Sequence, residues 1–123
     1  MKNRCFQPDT IYEDGKKITL SYINDSTYIR IKYYDNGKPL TITTKNSNHV
    51  AHGESILYYP SGGIEVKGYY KNGEKYGVWY FYSESGHLDK LVEYFGHNIN
   101  QEVYFTKDMQ IDTTIEGRNF VLS

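Results

Sequence analysis

The chain lacks most of what would mark it for redox chemistry, for a membrane or for a charged polymer. Its one cysteine, Cys5, leaves no internal disulfide to form, and the count assigns no oxidising compartment. A formal net charge of −1 supplies no bulk attraction to nucleic acid or anionic lipid, so no nucleic-acid partner is expected. Residues 1–45 carry eight Lys/Arg against five Asp/Glu (+3), and residues 46–123 carry six against ten (−4), a mild polarity that reads as solvated surface. No window has the length and apolarity of a transmembrane helix, so no integral membrane segment is expected. Met1-Lys2-Asn3-Arg4 resembles the charged start of a leader, but Phe6-Gln7-Pro8-Asp9 follows where an apolar stretch belongs. A cytoplasmic protein without a signal peptide is the expectation. Leu, Ile and Val are sparse, and no window of eleven residues carries a helical apolar stripe.

What the chain has is tyrosine: 14 of its 123 residues, within an aromatic content of 16%. A Tyr ring packs one edge and leaves its hydroxyl in water, which suits a thin sheet better than a thick core. Period-two alternation dominates. Ile18, Leu20 and Tyr22 alternate with Thr19 and Ser21, and Tyr28, Arg30 and Lys32 alternate with Ile29, Ile31 and Tyr33, the pattern of half-buried strands. Asp14-Gly15, Asn36-Gly37 and Asn72-Gly73 predict tight hairpins in which both central residues need positive φ. Looser turns fall at 24–26, 46–50, 61–63, 84–86 and 96–99. The sum is an antiparallel meander of roughly ten short strands.

The turns recur. Tyr- or Phe-rich strands break at Gly15, Gly37, Gly62 and Gly86, at spacings of 22, 25 and 24 residues, the mark of a stacked repeat. The clearest copy runs from Gly53 to Gly62 and again from Gly77 to Gly86; His49 stands at the turn slot that Gly73 fills in the second copy. After residue 100, Tyr104-Phe105-Thr106-Lys107-Asp108 echoes the aromatic strand and its turn but lacks the glycine, as terminal units often do. The run Gly68-Tyr69-Tyr70-Lys71-Asn72-Gly73-Glu74-Lys75-Tyr76-Gly77-Val78-Trp79-Tyr80-Phe81-Tyr82, with Gly86 after it, resembles a MORN repeat in the variant form of bacterial YwqK-like antitoxin components. The resemblance implies one all-β domain over 1–123: a single-layer antiparallel sheet of stacked hairpins, best formed over 53–96, with degenerate capping units at 1–52 and 97–123. It also implies a binding or assembly role without catalysis.

Catalytic and metal-binding patterns fare poorly on their own terms. His49 and His52 have a His-x-x-His spacing, but residues three apart on a strand point to opposite faces and no two further ligands lie nearby. His87 and His97 stand apart from any nucleophile pattern, and no Gly-x-Ser-x-Gly elbow or phosphate-cradling loop is present. No enzyme, metal or cofactor is expected. The aromatic strand 76–82 is the feature that can carry function: Trp79 and Phe81 share one face, while Val78, Tyr80 and Tyr82 share the other. Trp79, Tyr80, Tyr82, Tyr58 and Tyr70 are the candidate protein-binding residues, because Trp and Tyr dominate interface hot spots. The reading is a non-enzymatic module that occludes a partner protein, antitoxin- or immunity-like or inhibiting a host defence. The alternatives are a self-assembling structural repeat pairing through exposed sheet edges, and a peripheral lipid-binding module.

Overall fold

The computed structural model describes residues 9–96 and 98–112. Nine strands follow one another: β1 Asp9–Glu13, β2 Lys16–Asn24, β3 Thr27–Tyr33, β4 Pro39–Asn46, β5 Ala51–Tyr58, β6 Ile64–Lys71, β7 Glu74–Tyr82, β8 Leu88–Phe95 and β9 Asn98–Tyr104. All pair antiparallel in sequence order, in one open sheet. No helix occurs among the described residues, and every turn joins neighbours. The turns fall where the sequence places them, and the described residues hold nine strands, against roughly ten expected for the whole chain.

Two kinds of turn recur along the meander, and the β2–β3 turn at Asp25-Ser26 is neither, having no positive φ and a Ser26 N–H that donates to Asn24 Oδ1 at 2.8 Å. Asp14-Gly15 and Asn72-Gly73 are two-residue turns with positive φ at both positions, 52° and 78° in the first and 52° and 87° in the second. Asn36-Gly37 departs from the expectation, because only Gly37 has positive φ and the loop closes over five residues. There the Tyr34 N–H donates to the Lys38 carbonyl at 2.8 Å and the Gly37 N–H to the Tyr34 carbonyl at 3.0 Å. The Asn36 side chain is engaged instead, its Oδ1 accepting the Lys38 N–H at 2.8 Å. The same pair of backbone hydrogen bonds closes 46–50, 59–63, 83–87 and 106–110, with His49, Gly62, Gly86 and Met109 in the left-handed slot.

Alternate turns stack at one end of the sheet and are clipped together by side chains. The Tyr34 hydroxyl donates to the Tyr58 carbonyl, and the Tyr59 hydroxyl, one repeat on, to the Tyr82 carbonyl at 2.6 Å. Ser83 holds the equivalent slot without a ring, and His87 from the same loop reaches the Thr106 carbonyl at 2.6 Å. The repeat therefore continues past Tyr104 without its glycine.

Among the described residues a single sheet has two faces and no second layer to press on, so burial is local. Trp79 is 4% exposed because its indole lies flat on Gly68, where a Cβ would come within 1.9 Å of the ring. Its Nε1–H donates to the Tyr69 carbonyl at 3.2 Å. Tyr70 and Tyr94 meet the ring edge-on, with centroids 5.1 and 6.0 Å away. Lys75 Nζ stands 5.2 Å from the Trp79 centroid and 4.7 Å from that of Tyr94. Val92, paired with Trp79 on β8, is buried on the same face. Toward β2, Ile18 is buried, and so is Tyr28, whose hydroxyl bonds His49 Nδ1 at 2.9 Å.

Candidate binding face

The opposite face carries a row of directly paired residues that crosses the sheet. Ile31, Ile42 and Ile56 oppose one another on β3 to β5, and Tyr80, Leu91 and Val103 continue the row on β7 to β9, broken by Lys67 on β6. Next to this row the aromatics come to the surface. The Asn72-Gly73 turn sets Tyr69 opposite Tyr76, and the β7–β8 register sets Tyr76 opposite Phe95. Phe95 is 70% exposed, Tyr69 47%, Tyr76 41%, Val78 41% and Tyr80 38%. The Tyr76 and Phe95 centroids are 6.3 Å apart, and Lys71 Nζ sits 5.0 Å from the Tyr76 ring. An open groove of about 510 Å³ runs between His52, Tyr69, Lys71, Tyr76, Gly77 and Val78. Contiguous apolar surface with a polar rim marks an interaction site.

The rim is charged and ordered. Lys67 Nζ stands 3.7 Å from Glu54 Oε2 on the β5 side. On the β8 side the Glu93 carboxylate accepts from Asn100 at 2.9 Å and Gln101 at 2.7 Å, and these two bonds hold its pKa below the usual glutamate value.

The five residues singled out by sequence do not share one surface. Trp79 is buried and Tyr70 packs edge-on against it, on the face away from Tyr80. Tyr80 is exposed among the aromatics just described. Tyr58 and Tyr82 are half-buried at the clipped end, where a β-bulge between Phe81 and Tyr82 shifts the register. Sequence reasoning places Val78 on the Tyr80 face without counting it as a binding residue, and passes over Tyr69, Tyr76 and Phe95. Their signal was available: a two-residue turn at Asn72-Gly73 fixes the Tyr69–Tyr76 pair, and alternation carries the face from Tyr76 to Val78 and Tyr80.

The described histidines are spoken for by the fold. His49 bonds Tyr28, and His52 Nδ1 accepts the Asn72 N–H at 3.0 Å. His87 Nδ1 lies 3.0 Å from Asp89 Oδ1 while its Nε2 meets the Thr106 carbonyl. Two acceptors on one ring favour the imidazolium, so the Asp89 bond first and the Thr106 carbonyl second raise the His87 pKa above 6.5, against a smaller lowering by burial. Ser83 and Ser85 stand near, but their hydroxyls bond each other at 2.9 Å and the His87 Nε2 proton is directed at a carbonyl. This is the geometry of a clip, not of a base aimed at a nucleophile. Among the described residues no three His, Cys, Asp or Glu side chains gather as a metal site. Cys5 and His97 lie outside the described residues.

Compared with known families, residues 51–72 and 75–95 match the MORN repeat variant. The first matched unit is the β5–β6 hairpin and the second the β7–β8 hairpin, so each repeat is one hairpin with its clipped loop. No curated protein matches the chain. Repeats of this kind serve as binding or structural modules rather than as catalysts, and the aromatic face lies on the two matched units and the residues between them.

Proposed function

We propose that the chain is a non-catalytic protein-binding module, immunity- or antitoxin-like in action, that covers a partner protein with the Tyr69–Tyr76–Phe95 face and blocks it sterically. The observation that carries this reading is the register: three rings on adjacent strands stand side by side, and the outermost, Phe95, is 70% exposed. A sheet needs no such ring in water, whereas exposed aromatics within a charged rim are what an interface uses. Trp79 and Tyr70 stiffen the same strands from behind and contribute to binding only through the fold.

The test is affinity for a partner captured from the native host, measured with Phe95→Ala, Tyr76→Ala and Tyr80→Ala. Each exposed ring is expected to cost about 1–2 kcal/mol of binding while leaving the thermal midpoint nearly unchanged. Unchanged affinity in all three would remove this face from the function.

A further inference from the structure

The charges of the central strands are sorted by face. Alternation within β3 to β8, carried across the sheet by the pairing, sets Arg30, Lys32, Lys45, Lys75 and Lys90 on the face of Trp79, with no carboxylate from these strands beside them. The carboxylates of the same strands, Glu54, Glu65, Glu74, Asp89 and Glu93, all lie on the opposite, aromatic face together with Lys67 and Lys71. A net charge of −1 for the chain conceals this division. Acids reach the cationic face only on the outer strands, as Asp9, Glu13 and Glu102. Glu13 accepts from Arg30 at 2.7 Å, and Glu102 is 6% exposed and accepts from the Tyr104 hydroxyl. Lys32, Lys45, Lys75 and Lys90 make no ion pair among the described residues.

These four lysines frame a low strip. One row of direct pairs runs Lys32, Thr41, Leu57, Val66, Phe81 and Lys90; beside it run Arg30, Thr43, Ser55 and Gly68. With strands about 4.8 Å apart, Lys32 and Lys90 stand about 24 Å from each other along the sheet, the span of about seven extended residues. Short side chains at Thr41, Thr43 and Ser55 leave the middle open. At the β7–β8 end the cations are held by rings, Lys90 Nζ 4.8 Å from the Phe81 centroid and Lys75 Nζ 4.7 Å from that of Tyr94, so less freedom is lost when an anion meets them. We propose that this face docks an acidic polypeptide segment, laid across the strands with its carboxylates on Lys32, Lys45, Lys75 and Lys90. Single-stranded nucleic acid suits it less, because base stacking needs open rings and here Trp79 is 4% exposed with Lys75 over it. The site is separate from the Tyr69–Tyr76–Phe95 face, so the two readings stand or fall independently.

Fluorescence anisotropy with a labelled polyglutamate peptide and the full chain tests it. Binding at low ionic strength that weakens steeply with salt is expected. Lys32→Glu with Lys45→Glu, half-buried positions with no ion pair to lose, weakens binding on the order of tenfold while keeping the circular dichroism of the parent, and the Gln pair weakens it less. Lys67→Glu with Lys71→Glu changes the net charge equally but on the other face, and leaves the affinity within about twofold. No binding at low ionic strength overturns the proposal, and so does an equal loss in the two Glu pairs, which would mean that net charge alone is sensed. Tighter binding of an oligothymidylate of equal length overturns the partner class in favour of nucleic acid. Binding of polyglutamate that survives Phe95→Ala and Tyr76→Ala keeps this site even if those variants leave the captured partner's affinity unchanged.

Discussion

Gly68 and Trp79 show how much of this sheet rests on single residues. The indole is buried against a residue with no side chain, so Gly68→Ala meets the ring at 1.9 Å and something must move. Overpacking costs typically 1–3 kcal/mol, and the Trp79 Nε1 bond to Tyr69 is at risk with it. Urea denaturation of Gly68→Ala is expected to show a loss at the upper end of that range; a loss below about 0.5 kcal/mol would mean that the ring is not held as described. His87 makes a second prediction, through pH. Its folded pKa lies above its unfolded value of about 6.5, so its clip to Asp89 and Thr106 contributes stability fully below that value and loses it as pH rises through the folded pKa. The thermal midpoint is expected to fall across that window, and His87→Gln to flatten the fall. An NMR titration placing the His87 pKa at or below 6.5 would contradict the charged clip.

At the scale of the element, the five-residue loop explains both what the sequence disclosed and what it concealed. Gly37, Gly62 and Gly86 mark three left-handed slots in plain sight, and the repeat aligns His49 with a turn glycine, where it takes φ of 65°. Met109 fills the same slot at φ of 64°, but no Gly or Asn announces it, so the turn was legible and its conformation was not. Left-handed backbone costs a non-glycine residue roughly 1–2 kcal/mol, against roughly 0.5–1 kcal/mol of extra chain entropy for glycine. Met109→Gly is therefore expected to stabilise by up to about 1 kcal/mol in urea denaturation. His49→Gly gains less, because it gives up the bond to Tyr28. A destabilised Met109→Gly would show that the Met side chain outweighs its strained backbone. The binding face was concealed for a different reason. Strand 76–82 is apolar on both sides, so alternation alone does not say that Trp79 faces a glycine and Tyr80 faces water; the register shift between Lys67 and Tyr69, which nothing in the sequence announces, brings Trp79 to Gly68.

Over the whole molecule, each strand pairs only with its sequence neighbours, so stability is close to a sum of hairpins and the interfaces between them. Those interfaces are unequal. Trp79, Tyr70, Tyr94 and buried Val92 tie β6, β7 and β8 together, whereas β1 has four of its five residues exposed and a single described neighbour. Hydrogen exchange should follow this inequality, because amides open with the local free energy of their unit. Protection is expected to peak in the paired amides of β6 to β8 and to be least in β1. Gly68→Ala separates a chain of coupled units from one cooperative block. In the first case protection falls most in β6 and β7 and fades with each strand toward β2, since the Tyr34 and Tyr59 clips pass only part of the loss along. An equal fall in every strand would show instead that the clipped end couples the sheet as tightly as the indole does, and that the hairpins do not behave as separate repeats.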